Sequence, residues 1–322
     1  MGTPTATFQT YNQVGVREDL EDIIYNIAPT DTVCFSRFAK SKATTVTHEW
    51  QTDTLDAPSA TNAYVEGDDF SAGVITPTSR LKNYTQISRK DFVISRTSNL
   101  VNTAGRKEEL AYQTMLKGKA LKRDIESAIT QNKAATIAIS SAARVAASVE
   151  TWIYTVNHIA ATGQTTNTTP APVSGVAGTA GTDGTATAFV EADLRSALQQ
   201  AWSQGGETDV ILLPANLKNK FDAFTGIATR FRNVAANDQA GIVGSADLYT
   251  SSFGTHRATL SRFMRASAVL CLDMSTWGIA WLDPIHMEQI AKSGDSEKRM
   301  IVGEWTLVAK SPTANTKLTN VT

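Results

Sequence analysis

The side chains that most often carry out catalysis or bind metals are scattered through this sequence of 322 residues without a recognisable spacing. The sequence contains no His-Glu-x-x-His, Cys-x-x-Cys, Gly-x-Ser-x-Gly or phosphate-loop motif. Glu49 follows His48 directly, but neighbours along a strand point to opposite faces of a sheet. We therefore expect structural roles for the histidines, which are His48, His158, His256 and His286. An enzyme whose site assembles from distant residues on an α+β scaffold stays an alternative.

The cysteines and the overall composition exclude several classes of protein. Cys34 and Cys271 both lie in apolar, strand-like surroundings, which predicts buried free thiols rather than a disulfide. A pI near 6.4 is far below that of a typical nucleic-acid-binding domain. The sequence has no apolar stretch long enough to cross a membrane, and residues 1–11 are polar, unlike a signal peptide. We expect a protein that is made and kept in a cytoplasm, without a cofactor or metal.

The charged residues are distributed unevenly along the chain. Residues 1–70 carry eleven Asp or Glu against four Lys or Arg, whereas residues 71–150 carry six against thirteen. Opposite charges on separate segments suit contacts within one chain and, equally, contacts between neighbouring copies. The net charge of −1 therefore hides a pattern that favours self-assembly.

The first elements that the pattern predicts are a short arm helix and an extended hairpin. The arm helix has one apolar face and acidic residues on its other faces, and Pro29 ends it. Its apolar face docks either on the chain's own core, which periodicity favours, or on an adjacent subunit. The hairpin has alternating strands near residues 45–50 and 84–88, separated by a long polar run over residues 53–77. The apolar positions of the arm are Val16, Leu20, Ile23, Ile24 and Ile27.

The hairpin carries an acidic tip, which is followed along the chain by a basic series. The tip lacks the alternating ligands of an EF-hand, so we favour a solvated or intersubunit acidic patch over a calcium loop. The tip comprises Glu66, Asp68 and Asp69, and the basic series comprises Arg80, Lys82, Arg89 and Lys90.

The remaining sequence predicts an α+β protein. A long helix over residues 106–132 has a clear apolar stripe, and its lysines indicate a solvated face rather than a nucleic-acid surface, since no aromatic residues lie between them. Residues 134–187 are rich in Ala, Thr and Gly and predict a flexible surface loop. Helices over 191–204 and 214–224 flank a buried strand at 209–213, and further strands are predicted at 248–251, 268–273, 277–282 and 300–309. We expect the late strands to return and pack on the long helix.

Five blocks occur in order along most of the chain, namely Arg17-Glu18-Asp19-Leu20, residues 23–32, residues 48–53, Glu66-Gly67-Asp68-Asp69 and residues 294–299. Together they resemble a family of tailed-bacteriophage major capsid proteins. The block Val33-Cys34-Phe35 departs from the family, whose members tend to carry a proline before the phenylalanine.

The resemblance implies the α+β Hong Kong 97-type capsid fold. Its parts would be an N-terminal arm over residues 1–42, an extended β-hairpin loop over 43–95 and a peripheral domain over 96–189. The peripheral domain would contain the long spine helix, 106–132, and the flexible insert. An axial domain would follow over 190–290, and residues 291–322 would form a return strand and a C-terminal tail.

The resemblance also implies a function, which is to build the icosahedral head shell of a tailed phage around double-stranded DNA, with no reaction to catalyse. The expected partners are copies of the chain itself in pentamers and hexamers, scaffold, portal and decoration proteins, and weakly contacted DNA, with no membrane. The expected location is the virion, after assembly in the cytoplasm of a bacterial host. An encapsulin-like cellular compartment is the alternative. Some relatives join subunits through a lysine–asparagine bond, but nothing in the sequence marks a partner for Lys82.

We expect two oppositely charged sets of residues to meet between subunits. The arm and the tip would pair with the basic series of an adjacent copy. The expected interface residues are Glu18, Asp19, Ile23, Ile27, Glu66, Asp68, Asp69, Arg80, Lys82, Arg89 and Lys90.

Overall fold

The computed structural model describes residues 31–69, 73, 75–101, 108–139, 142–154, 157–164, 168–224, 247–292 and 294–322. The predicted arm helix and its interface residues Glu18, Asp19, Ile23 and Ile27 lie outside this part of the chain. The helices are α1 (Val33–Arg37), α2 (Arg96–Leu100), α3 (Glu109–Thr130), α4 (Val149–Trp152), α5 (Glu191–Ser203) and α6 (Ala215–Asp222). The first strands are β1 (Ala39–Lys42), β2 (Thr47–Thr52), β3 (Ser79–Tyr84), β4 (Gln86–Ser95), β5 (His158–Ile159) and β6 (Val210–Leu213). The later strands are β7 (Leu248–Ser251), β8 (Gly254–Leu260), β9 (Ala268–Leu272), β10 (Trp277–Ile290), β11 (Ser296–Ala309) and β12 (Thr316–Thr319).

A four-stranded sheet carries the long helix α3. The strand order is β1-β10-β11-β4, with β1 parallel to β10 and the other pairs antiparallel. Leu121, Ile125 and Ile129 recur at helical spacing and are fully buried in one core with Trp305 of β11. The helix lies within the predicted range of 106–132 and ends at Thr130, because Gln131 adopts an extended conformation.

A six-stranded sheet in the order β5-β12-β9-β6-β8-β7 forms the second layer. Its central strands β6 and β9 are buried along their whole length. Successive residues of a strand point to opposite faces, so Leu270 joins the core beneath α3 while Cys271 joins a second core beneath α5 and α6. A continuous apolar run is the pattern that a strand covered on both faces requires.

The predicted segments and the two sheets do not coincide along the chain. β10 belongs to the four-stranded sheet, so the predicted axial range of 190–290 crosses from one sheet to the other after β9. The C-terminal strand β12 lies in the six-stranded sheet, where it pairs with both β9 and β5. The sequence pattern shows where each strand lies, but strand pairing depends on contacts that are distant in sequence.

The predicted hairpin is a two-stranded antiparallel stem, in which Thr47 pairs with Tyr84 and Thr52 pairs with Ser79. The predicted second strand at 84–88 is wrong in its pairing, because β3 ends at Tyr84 and β4 continues into the four-stranded sheet beside β11. The switch occurs at the buried Thr85, whose hydroxyl donates a 2.5 Å hydrogen bond to Glu304.

The prediction of a surface loop at 134–187 is wrong for the middle of that segment. Ala146, Ala147, Trp152 and Ile153 are almost completely buried in the core beneath α3. Small alanine side chains allow the backbone to approach neighbouring strands closely, and composition alone does not separate such a segment from a solvated loop.

Among the described residues, no helix has the length and apolar character needed to span a membrane.

Candidate functional site

The stem of the extended hairpin, formed by β2 and β3, is fixed to the body of the subunit by side chains of both strands. The indole N–H of Trp50 donates a 2.8 Å hydrogen bond to the carbonyl oxygen of Ala309 at the end of β11. The ring of Trp50 also packs against that of Trp152, with 5.4 Å between the ring centroids. These contacts join β2 to the four-stranded sheet and to α4.

Asn83 anchors the other strand of the stem. Its side chain is fully buried, and its amide nitrogen donates a 2.8 Å hydrogen bond to the carbonyl oxygen of Leu307. The N–H of Ala147 donates a 2.9 Å hydrogen bond to the Asn83 Oδ1 atom. A buried amide satisfied on both sides fixes the strand in one position, because any shift leaves polar atoms unpaired.

The loop between the stem strands, residues 53–78, is exposed in its described part and carries large apolar side chains. Single exposed apolar residues are common on globular proteins, so these side chains are notable for how much of each is exposed and for lying on one loop. The exposed fractions are 99% for Leu55, 78% for Tyr64, 80% for Val65 and 91% for Ile75. Part of this signal is visible in the sequence, but the long polar run around these residues hides it.

The acidic tip lies on this loop, at a tight turn. The N–H of Asp68 donates a 3.0 Å hydrogen bond to the Val65 carbonyl oxygen, and Gly67 has a positive φ of 85°. Glu66, Asp68 and Asp69 are all exposed.

The predicted basic residues have contacts within the subunit. Arg80 pairs with Glu49 across the stem at 3.2 Å, Arg89 pairs with Asp91 at 3.4 Å, and Lys90 pairs with Asp124 of α3 at 2.5 Å. The backbone N–H of Lys82 donates a 2.8 Å hydrogen bond to the Gly175 carbonyl oxygen. These contacts join the basic series to acids and backbone of its own chain.

Sequence reasoning missed a buried ionic cluster between the two sheets. Arg265 donates hydrogen bonds to both oxygens of Glu150, which is 1% exposed, and to both oxygens of Asp183. The fully buried Lys317 donates a 2.6 Å hydrogen bond to the Glu150 carbonyl oxygen and a 2.7 Å bond to the Thr169 hydroxyl. Nothing in the sequence around Lys317 distinguishes it from a lysine on a solvated strand.

Burial sets the protonation behaviour of this cluster. It lowers the pKa of Lys317 to about 8 and, together with the nearby Lys317 charge, lowers the pKa of His158 to about 3. Burial raises the pKa of Glu150, although Arg265 and Lys317 oppose that rise. His158 lies between two hydroxyls, with 2.5 Å from Nε2 to Thr319 Oγ1 and 3.1 Å from Nδ1 to Thr169 Oγ1. The cluster satisfies its own charges, so we assign it a structural role.

The remaining chemistry-bearing residues also have structural surroundings. The buried His256 lies 2.6 Å from the Thr208 carbonyl oxygen and 2.8 Å from the Ser251 hydroxyl. Cys34 and Cys271 are free and buried, as predicted, and burial raises the pKa of both thiols, that of Cys271 to about 12. No group of three metal-ligating side chains occurs in the part of the chain that the structure describes.

Comparisons with known proteins identify the family of this chain. The model of the SU10 major capsid protein family matches residues 3–322. The major capsid protein of Escherichia phage Phieco32 is 28% identical over an alignment covering 98% of this chain and 97% of the relative.

Solved capsid structures share the fold at low sequence identity. The capsid asymmetric unit of cyanophage A-1(L) superposes with a TM-score of 0.67 at 13% identity, covering 97% of this chain and 98% of that one. The capsid of a native GTA particle gives 0.64 at 9% identity, again covering 97% and 98%. A structure of Phage G gp27 major capsid proteins with gp26 decoration proteins gives 0.52 at 11% identity, covering 99% of each chain.

The predicted α+β Hong Kong 97-type fold and the predicted resemblance to tailed-phage capsid proteins are thus confirmed. The chain belongs to the SU10 major capsid protein family and is the subunit from which a phage builds its capsid shell.

Proposed function

We propose that the chain assembles through pentamers and hexamers into a closed icosahedral shell around double-stranded DNA, with the extended loop of each subunit lying on its neighbour. The observation that carries this proposal is the exposed apolar set on the loop, namely Leu55, Tyr64, Val65 and Ile75. A firmly anchored stem holds these side chains where the subunit's own core does not cover them. The capsid relatives and the shared fold support the same arrangement.

Apolar contacts of the loop supply most of the association free energy in this proposal. Burying one such side chain contributes roughly 1.5–3 kcal/mol, and every subunit repeats the contact. An exposed ion pair contributes only about 0–1 kcal/mol. The acidic residues of the tip and the arm therefore set register and orientation rather than strength.

The charged part of the interface is a proposal of the same kind. Glu66, Asp68 and Asp69, with Glu18 and Asp19 of the arm, would face Arg80, Lys82, Arg89 and Lys90 of an adjacent subunit, while Ile23 and Ile27 dock. Arg80, Arg89 and Lys90 already have acidic partners in their own chain. Assembly would exchange those partners rather than create new pairs, which gives specificity at little net cost.

The shell performs no reaction in this proposal. A net charge of −1 lets the chain contain packed DNA through weak contacts only. Scaffold, portal and decoration proteins complete the head in the bacterial cytoplasm, and the subunit ends in the virion. The decoration proteins bound to the Phage G capsid, which has the same fold, support a decorated outer surface.

Negative-stain electron microscopy combined with sedimentation tests the proposal on the purified full chain. We expect shells, pentamers, hexamers or curved sheets from the wild type. The variant L55S/Y64S/V65S/I75S should remain a folded subunit that does not assemble. Leu100 and Leu248, which are 72% and 63% exposed outside the loop, provide the matched control L100S/L248S, which should assemble. Normal shells from the fourfold loop variant would contradict the proposal, as would a wild type that stays monomeric at high concentration even with a scaffold protein present.

A further inference from the structure

We propose that the turn Val173–Val176, which we name the Gly175 turn, sets the direction of the extended loop, and that Gly175 is its positioning residue. This inference rests on the proposed function, since it concerns how the loop is aimed at a neighbour. The turn belongs to the Ala-, Thr- and Gly-rich segment, which would then be a support for the hairpin.

The Gly175 turn has a tight and defined backbone. The N–H of Val173 donates to the carbonyl oxygen of Val176, and the N–H of Val176 donates to that of Val173, both at 3.0 Å. Between them, Ser174 has a φ of 50° and Gly175 a φ of 79°. Two successive left-handed residues are the signature of a type I′ hairpin turn, in which glycine is preferred.

The turn lies directly against the outer edge of β3. The Lys82 N–H donates its hydrogen bond to the Gly175 carbonyl oxygen at 2.8 Å. A Cβ atom added to Gly175 would overlap the Arg80 carbonyl oxygen and would lie 3.2 Å from the Arg80 carbonyl carbon and 3.3 Å from the Leu81 Cα. The two backbones therefore touch, at a distance that only glycine permits. The edge of the stem that β2 leaves open is covered at this point.

The turn is fixed to the body of the subunit on its other side. The N–H of Ala135 donates a 2.9 Å hydrogen bond to the carbonyl oxygen of Ala177, which is 3% exposed. Ala135 follows shortly after α3, which ends at Thr130. The Gly175 turn thus connects the end of the spine helix to the stem.

The contact between the Gly175 turn and β3 lies close to the point where the loop leaves the stem, so it can restrict the direction of the loop. Asn83 holds the body-side half of β3, opposite His48. Arg80 lies next to the last stem pair, Thr52 with Ser79, where the loop begins. A support at Arg80 and Lys82 therefore limits the rocking of the loop about the anchored end of the stem.

The test compares two glycines of the same segment that share a conformation but differ in contact. Gly163 has a φ of 85°, and a Cβ there would meet only the Thr187 methyl at 3.9 Å. G175A and G163A therefore impose similar backbone strain, but only G175A pushes the turn away from β3. G175N provides a further comparison, since asparagine tolerates a positive φ and retains the overlap.

Hydrogen exchange on the unassembled subunit measures positioning separately from assembly. In G175A and G175N we expect the Lys82 amide to exchange about tenfold faster, as loss of one backbone hydrogen bond allows, while α3 and β9 are unaffected. G163A should match the wild type at Lys82. In electron micrographs, G175A should give open or irregular assemblies, whereas G163A gives normal shells.

Each result decides between the two claims. Unchanged Lys82 exchange in G175A, equal loss in G163A, or normal shells despite faster exchange would overturn the role of Gly175 and leave the proposed function standing. A wild type that does not assemble would count against the proposed function, while the exchange data still report on the turn. If G175A does not fold, K82P replaces it, because proline lacks the edge N–H that donates to the Gly175 carbonyl oxygen, and K82A is the control for loss of the lysine side chain. Equal stem exchange in K82P and K82A would also overturn the inference.

Discussion

The backbone N–H of Phe35 donates a 2.7 Å hydrogen bond to Glu126 Oε2, joining the first turn of α1 to the C-terminal end of the spine helix α3. The neighbouring N–H of Cys34 donates to Oε1 of the same carboxylate at 2.9 Å. Glu126 is fully buried, and burial raises its pKa against the lowering effect of these N–H groups. The carboxylate thus fixes α1, which follows the predicted arm helix along the chain, onto the spine helix.

Replacing this carboxylate should destabilise the subunit. In E126Q an amide NH₂ takes the place of one accepting oxygen and faces an N–H donor, so we expect the free energy of unfolding to fall by about 1–3 kcal/mol. Urea unfolding followed by circular dichroism measures the change. Asp124 on the same helix is half exposed and pairs with Lys90, so D124N is a matched control with an expected loss of about 0–1 kcal/mol. An equal loss of unfolding free energy in both variants would show that the buried Glu126 contact stabilises the subunit no more than the exposed ion pair does.

Removing Arg265 from the buried cluster should have a larger effect. In R265M the carboxylate of Glu150 loses its main partner while remaining buried, and we expect a loss of about 3–5 kcal/mol in the free energy of unfolding. R265M/E150Q should recover part of that loss, because the buried side chain at position 150 then carries no charge that lacks its arginine partner. A double-mutant cycle in urea measures the coupling, and strictly additive losses would refute it.

The stability of the subunit should decrease in mild acid because of His158. The pKa of this imidazole is about 3 in the folded chain against an ordinary value of 6.5. Between these pH values the unfolded chain binds a proton that the folded chain excludes, so the free energy of unfolding falls as the pH drops from about 6.5 towards 3. H158Q should flatten this part of the curve, measured by urea unfolding at several pH values. H286Q, at an exposed histidine, is the control and should leave the slope unchanged.

Reversing the charge of the acidic tip should misdirect assembly without affecting folding. E66K/D68K/D69K places three cations where we propose that the loop meets the basic series of a neighbour, so we expect aberrant assemblies or none. The exposed acids Asp53 and Asp56 at the start of the same loop provide the control D53K/D56K, which should form shells. Electron microscopy and sedimentation distinguish the outcomes, and normal shells from the triple variant would eliminate a role for the tip charges.

Local sequence patterns predicted the elements whose burial repeats at a regular period. The stripe of Leu121 and Ile125 predicted α3, and the apolar run at 268–273 predicted β9. Cys34 and Cys271 were placed correctly in the core because their neighbours are apolar. The pattern of apolar residues in an amphipathic helix, or in a strand that is buried on both faces, shows which of its faces are buried. A single sequence is therefore sufficient to predict such elements.

Other features depended on partners that are far away in the sequence. Lys317 and Glu150 are separated by 167 residues, and each alone has the pattern of a surface residue. The burial of Ala147 depends on Asn83, and the need for glycine at position 175 depends on Arg80. These relationships exist only once distant strands have paired.

The sequence by itself therefore determined the kinds of element, their order and, through ordered blocks of residues, the capsid family. Only the tertiary structure decided which sheet β10 and β12 join, which charges are buried, and what supports the extended loop. The physical reason is that the spacing of apolar residues shows whether one face of a helix or strand is buried. Which other element packs on that face depends on contacts between residues that are distant in the sequence.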